Sequence, residues 1–301
     1  MFSERDHVIN NFKFRFKSLH KLGFLSKLAK FINNFFYGIG LGAYFNRYDS
    51  SFIIYSSNED KKLYYKIEKK LFVNFGSGSF SHKLWKNFDY PGASQYYKRI
   101  QGIQYKDFTP IDLCTENLIL PFKNNSVKLI YCSHTLEHLE KEKAIQFLKE
   151  CARVIENNGV MRIVLPDIKK IANNLKIAVK QDSSLIKKAK NLAYYICTPS
   201  KELKNTLITN LVVKTKYNPI KISREISKKI QIKFDQNNPE YHLSYWDNEI
   251  IFKNLTKIGF KKYMPTIGGA SLAKPFLNQC VFDNTERNLS FYCELIGQHT
   301  N

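Results

Sequence analysis

The sequence predicts an α/β fold built on a mostly parallel sheet. Three observations carry this. From Leu71 onward, short β-prone runs alternate with turn residues. A well-patterned helix stands between two of those runs, as a crossover between parallel strands requires. A glycine turn follows the first run directly, where an open sheet of this kind turns toward a ligand.

Taken in order, the strand segments are LFVNF from Leu71, KNFDY from Lys86, TPIDL from Thr109, VKLIYC from Val127 and VMRIVLP from Val160. Between the last two, Ala144, Leu148, Cys151 and Ile155 recur at three- and four-residue spacing, which predicts a helix over 144–155 with Asn158 and Gly159 as its stop. EIIFKNLTKIGFKKYMP from Glu249 reads as a helix, a stop at Gly259 and a strand, and LSFYCELI from Leu289 reads as the closing strand. The main domain therefore spans 71–297 and carries a Lys-rich helical insertion or lid over 168–239, with prolines at Pro199 and Pro219. Residues 1–70 form a basic, aromatic N-terminal extension, expected to be helical. Within it Leu22, Leu25, Leu28, Ala29 and Ile32 lie on one face of a helix predicted between Leu19 and Phe36. No internal repeat is evident.

Composition narrows the classes. Hydrophobic residues make up 44% of the 301-residue chain and charged residues 24%, which is ordinary for a globular protein and excludes wholesale disorder. The formal charge of +21 is concentrated, with 13 Lys/Arg against 6 Asp/Glu in residues 1–70 and 16 against 3 in residues 169–233. Such an excess attracts a nucleic acid, an anionic membrane surface or a phosphorylated carrier. A/T-rich codons explain the abundance of Lys, Asn, Ile, Phe and Tyr equally well, so charge alone names no partner. Cys114, Cys132, Cys151, Cys197, Cys280 and Cys293 show no CxxC spacing and read as reduced, mostly buried thiols of a cytoplasmic protein. The N-terminus lacks the apolar core of a secretion signal. The run from Phe35 to Phe45 is about half the ~20 residues that a membrane span needs.

Chemistry concentrates around the first glycine turn. In LFVNFGSGSF, an apolar strand that includes Asn74 runs directly into Gly76, Ser77 and Gly78, whose glycines let backbone turn sharply and approach a ligand with no Cβ in the way. A GxG triplet occurs in many turns, and its neighbours are what give it weight. Asp89 closes the next strand, where a carboxylate suits ribose hydroxyls, and Asp112 with Leu113 closes the third, where an adenine amino group is within chemical reach. Either aspartate alone is also an ordinary solvated strand end.

The segments NFGSGSF, LPF from Leu120, SHTLEH from Ser133 and LPD from Leu165 together resemble the type-11-like S-adenosylmethionine methyltransferases, and within them the branch met among polysaccharide and cell-surface glycan enzymes. HLSYW from His242, IGF from Ile258 and TERNLSFYCEL near the end extend the likeness over roughly 71–167 and 240–297. The resemblance implies a Rossmann-like, seven-stranded sheet with an antiparallel last strand. It implies S-adenosylmethionine bound across Gly76–Gly78, with Asn74, Ser133 and His134 in the same cleft, Asp89 on the ribose and Asp112 with Leu113 on the adenine. Two departures stand out: Ser77 replaces the usual Cys, and Lys128 replaces an Asp common in the fourth strand. The spacing from Gly78 to Asp89 also predicts a very short first crossover helix.

His134, Glu137 and His138 spell HxxEH, an inverted zinc-protease motif. With no third ligand apparent downstream, the expectation is a cleft-forming helix start and no metal. Methyl transfer from a sulfonium needs alignment, desolvation and at most one base. His134 is the candidate base, and Tyr241 and His242 are candidates for covering the acceptor. The expected activity is methyl transfer to an oxygen or nitrogen of a small-molecule or glycan acceptor, with peripheral contact at the inner membrane face through residues 1–45. Two other readings fit the same residues. One is an RNA or small-metabolite methyltransferase, although no nucleic-acid-binding motif accompanies the charge. The other is a non-catalytic scaffold that binds membrane or partner.

Overall fold

The computed structural model describes residues 9–17, 22–46, 49–93, 107–167, 234–236, 239–284 and 289–297, together with 95, 98, 169, 170, 214 and 221. Most of the 168–239 insertion, and Cys197 with it, lies outside the described residues.

A seven-stranded sheet forms the centre. Its strands are β4 (Leu71–Phe75), β5 (Lys86–Asp89), β6 (Thr109–Pro110), β7 (Val127–Ser133), β8 (Ile155–Pro166), β9 (Lys262–Thr266) and β10 (Ser290–Ile296). They lie in the order β6-β5-β4-β7-β8-β10-β9. The β4–β5, β5–β6, β4–β7 and β7–β8 pairs are parallel, and β10 runs antiparallel to both β8 and β9. This is the Rossmann-like methyltransferase topology that the motifs predicted. Strand order reverses between β4 and β7, so the carboxyl ends of those two strands form the crevice where open α/β sheets bind ligands.

One face of the sheet is covered by α3 (Lys141–Val154) and α4 (Asn248–Ile258). Helix α3 forms because Ala144, Phe147, Leu148, Cys151 and Ala152 share one buried face. Phe147 is fully buried with its ring edge-on to Phe75 at 5.1 Å, a burial that contributes roughly 2–3 kcal/mol. The helix stops earlier than its periodicity predicts. Ile155 is already extended at ψ 140 and begins β8, while Asn158 at φ 61 bends that strand. Helix α4 stops as predicted, with Gly259 in the left-handed cap at φ 82, and its start is set by Asp247, whose side chain accepts the Ile250 N–H at 2.7 Å.

The other face is covered by the N-terminal segment, and there the structure departs from an all-helical extension. Helix α1 (Leu22–Phe31) and helix α2 (Ser57–Leu63) are present, but they flank a three-stranded antiparallel sheet of β1 (Asn11–Arg15), β2 (Leu41–Asn46) and β3 (Ser51–Ser56) in the order β1-β3-β2. The reason is local. SFIIYS is rich in aromatic and β-branched residues, and Asp49 starts the strand by accepting the Ser51 N–H at 3.0 Å. The apolar stripe of α1 packs inward, where Leu25 and Ala29 meet Ala43, Phe45 and Phe52. Tyr37, Ile53, Tyr55 and Tyr64 join Leu129, Tyr131, Val160, Phe276 and Phe282 in a second core against the large sheet.

Two buried polar hubs fasten these layers. Asp60 accepts from Tyr37 Oη at 2.5 Å and from Asn278 Nδ2 at 2.5 Å, and lies 2.9 Å from His82 Nε2. On β8, Arg162 donates to Asp283 Oδ1 and Oδ2 at 2.9 and 2.5 Å, to Glu294 Oε1 at 2.9 Å, and to the carbonyls of Ala270 and Ile267, each at 2.9 Å. Among the described residues no helix is long and apolar enough to cross a membrane.

Candidate functional site

The site lies at the β4/β7 crevice. Gly76 leaves β4 at φ +66, and a Cβ there would fall 2.0 Å from Thr135 Oγ1, so the loop after β4 can touch the loop after β7 only with glycine at 76. Gly78 also has positive φ, at 53. No helix follows; the chain turns directly through 76–85 into β5, so the expected short crossover helix is replaced by turns. Asp89, buried at the end of β5, accepts the Gly78 N–H on Oδ2 at 2.7 Å and the Tyr90 N–H on Oδ1 at 2.8 Å. This carboxylate therefore fixes the glycine loop from the carboxyl end of β5.

Asn74 is buried within β4, in register with Asn87 and Tyr131. The hydroxyls of Ser77 and Ser133 are buried without a hydrogen-bond partner among the described residues. Two orphaned donors at the ends of adjacent strands mark a place that a polar ligand would satisfy. Asp112 comes two residues after β6, whose two residues are all that TPIDL contributes to the sheet. Pro110 offers no N–H, and Asp112 folds the chain away by accepting the Cys114 N–H at 2.8 Å. Leu113 is buried beneath it. These residues fit a nucleoside-bearing group: a backbone cradle a Cβ would fill, carboxylates at two strand ends and unsatisfied hydroxyls between. The departure at Lys128 is remote from all of them, near the amino end of β7 and 4.0 Å from Glu156.

Beyond β7 the structure gathers the remaining candidates around Glu137, which the sequence offered only as the middle member of HxxEH. His134 sits at φ 51, donates its N–H to Val164 O at 2.8 Å, and places Nε2 3.0 Å from Ser290 Oγ. Its Nδ1 is 3.3 Å from Glu137 Oε1. Glu137 lies in a 3-10 turn, Leu136–His138, and is almost wholly buried. His138 and the buried His242 complete the group, their rings 4.8 Å apart and edge to face. Tyr241 enters through its backbone, its carbonyl 3.1 Å from His138 Nδ1. Burial alone would push the Glu137 carboxyl up, but His134, His138 and His242 outweigh it and hold it at about 2. The third partner that HxxEH lacked in sequence is therefore His242, about a hundred residues on. The signal was the spacing, and what hid it was that only the fold juxtaposes His242.

No disulfide joins the described cysteines. Cys132, Cys151, Cys280 and Cys293 are buried and Cys114 is half-buried; burial pushes the Cys132 and Cys114 thiols up to about 12, so neither is a nucleophile at neutral pH.

Strand order and crevice define a class I methyltransferase fold. Residues 76–163, from the glycine turn into β8, match the family described as methyltransferase domain. The match and the topology support S-adenosylmethionine as the cofactor and S-adenosylmethionine-dependent methyl transfer as the chemistry. No curated protein matches the chain. Solved structures similar to it include the DszA carbon methyltransferase (11% identity, 81% of this chain and 52% of that one, TM-score 0.37). Others are an S-adenosylmethionine-dependent methyltransferase from Aquifex aeolicus (10%, 79% and 88%, TM-score 0.33) and human N-acetylserotonin methyltransferase in complex with S-adenosylmethionine (9%, 81% and 52%, TM-score 0.37). The chain spans about half the length of the DszA and human structures.

Proposed function

We propose that this protein transfers a methyl group from S-adenosylmethionine to an oxygen or nitrogen of a small-molecule acceptor of the sugar or glycan class. The observation that carries it is the Gly76–Gly78 cradle tied to the Asp89 carboxylate at the β4/β7 crevice, inside the segment that matches a methyltransferase domain. The cofactor supplies an electrophilic methyl. The chain's own residues cradle it through Gly76, Ser77 and Gly78, face its polar groups with Asp89, Asp112 and Ser133, and keep a proton acceptor, His134, at the mouth of β7. The sugar or glycan class is supported by the likeness of NFGSGSF, LPF, SHTLEH and LPD to the glycan-associated branch.

Contact with an anionic membrane surface belongs to the same reading. Phe31, the last residue of α1, and Phe35, in the π-helical turn Ile32–Phe36 that follows it, stack at 5.6 Å and are both exposed, with Lys27 and Lys30 nearby in the chain. Sedimentation with anionic vesicles should bring the protein down, and Phe31→Ser with Phe35→Ser should release it.

Calorimetric titration with S-adenosylmethionine and S-adenosylhomocysteine tests the core claim. Micromolar binding is expected, weakened about 5- to 150-fold in Asp89→Ala, a loss of roughly 1–3 kcal/mol of charge-assisted hydrogen bonding. Gly76→Val should abolish it, since the side chain enters both the cradle and Thr135. A wild-type protein that binds neither ligand would leave the fold as a non-catalytic scaffold.

A further inference from the structure

We propose that Glu137, His138 and His242 form a binding site for a divalent transition-metal ion, with His134 backing the carboxylate. The ligand-capable atoms of the three residues lie within 4.8 Å of one another. Glu137 keeps only 2% of its side-chain surface exposed, and neither carboxylate oxygen has a hydrogen-bond partner among the described residues. The approach of His134 Nδ1 at 3.3 Å lacks the alignment of a hydrogen bond. An ionised carboxylate buried in this way is costly unless it is paired or coordinates a metal.

The positions of these side chains are fixed by their surroundings rather than left loose. The Glu137 carbonyl accepts the N–H groups of Leu243 and Ser244 at 2.7 and 3.1 Å, Ser244 Oγ donates to the Leu136 carbonyl at 3.0 Å, and Trp246 Nε1 donates to Ser244 Oγ at 2.9 Å. His242 is therefore pinned against the 3-10 turn that carries its two partners. His138 is oriented as metal-ligating histidines usually are. A carbonyl oxygen only accepts, so the contact at 3.1 Å makes His138 Nδ1 the donor to Tyr241 O and leaves the lone pair of the neutral ring on Nε2. Ligands around a tetrahedral ion with bonds of about 2.1 Å stand about 3.4 Å apart, so binding must draw the rings inward by about 1 Å.

Two imidazoles and one carboxylate are a borderline-soft set, which favours zinc, manganese, iron or cobalt over magnesium and calcium. Three protein ligands leave a position for water or for an oxygen of a bound molecule, as catalytic rather than structural sites do. The turn that carries Glu137 and His138 follows the same carboxyl end of β7 as the Ser133 hydroxyl. If the methyl-transfer reading holds, the ion would orient the acceptor oxygen, but the metal site itself rests on the cluster alone.

The test uses the full chain, stripped with a chelator and titrated with Zn²⁺, Mn²⁺ and Mg²⁺ separately, with bound metal counted by elemental analysis. One equivalent of Zn²⁺ or Mn²⁺ is expected, with Mg²⁺ at least 100-fold weaker. Affinity should fall at least tenfold in each of His138→Ala, His242→Ala and Glu137→Gln. Glu137→Gln preserves volume, and circular dichroism identifies any variant that fails to fold. Absence of saturable binding, preference for Mg²⁺, or a full equivalent retained by well-folded His242→Ala and Glu137→Gln would each overturn the site. Titration of the wild type with S-adenosylmethionine is read separately, so loss of the metal proposal and loss of the methyl-transfer reading are distinguishable.

Discussion

Arg162 and Glu137 are both buried charges next to the central sheet, and they are built on opposite rules. Each of the five N–H donors of Arg162 meets an acceptor, two on Asp283, one on Glu294 and one each on the carbonyls of Ala270 and Ile267. Burial works against its charge, yet Asp283 and Glu294 more than compensate and raise its pKa. Glu137 is just as enclosed but has three imidazole neighbours and no well-formed hydrogen bond to either oxygen. A closed cluster of this kind holds the 267–283 loop to the sheet. An open one keeps unspent interaction capacity, which is what a ligand site requires.

Substitution can break that contrast. Arg162→Met should have the largest effect, about 3–5 kcal/mol lost in denaturant unfolding, because Asp283 and Glu294 remain buried without their counter-charge. A loss under 1 kcal/mol would mean that the network follows the fold rather than fastening it. Asp60→Ala should cost about 2–4 kcal/mol through the stranded Tyr37, His82 and Asn278 groups, with proteolysis moving toward the N-terminal segment. Glu137→Gln should cost less, about 1–2 kcal/mol in metal-free protein, since no formed hydrogen bond is removed. If it cost as much as Arg162→Met, the two clusters would be alike.

The smallest effect concerns Lys141, at the start of α3. Burial lowers its pKa to about 8, and its Nζ sits 3.4 Å from the centre of the Trp246 ring. Between pH 8 and 10.5 the unfolded chain binds more protons there than the folded one, so stability from this group rises with pH across that window. Thermal melting from pH 7.5 to 10.5 should show the rise, and Lys141→Met should flatten it.

Legibility followed sequence distance. The strands of the large sheet, the Gly259 stop and the tight turn at Gly76 were readable because each depends on neighbours within a few residues or on the residue's own φ. The β1–β3 sheet was missed because an aromatic-rich segment with both helical and alternating patterning is decided by what it packs on. The Arg162 hub gave only a weak cue, a lone arginine in VMRIVLP, and its partners lie 121 and 132 residues away. HxxEH was visible, but its meaning depends on His242, which the fold alone delivers.

The Asp60 hub has a consequence for the order in which the protein is completed. Its acceptors are met by Tyr37, His82 and Asn278, the last 218 residues from Asp60 along the chain, and Phe276 and Phe282 close the same aromatic core. Contacts of such separation form late. During synthesis the N-terminal sheet therefore waits, with Tyr37, Tyr55 and Tyr64 uncovered, until the stretch around Phe276–Phe282 has left the ribosome. A chain cut short before Pro275 would be a sticky intermediate, a client for chaperones, rather than a smaller folded protein.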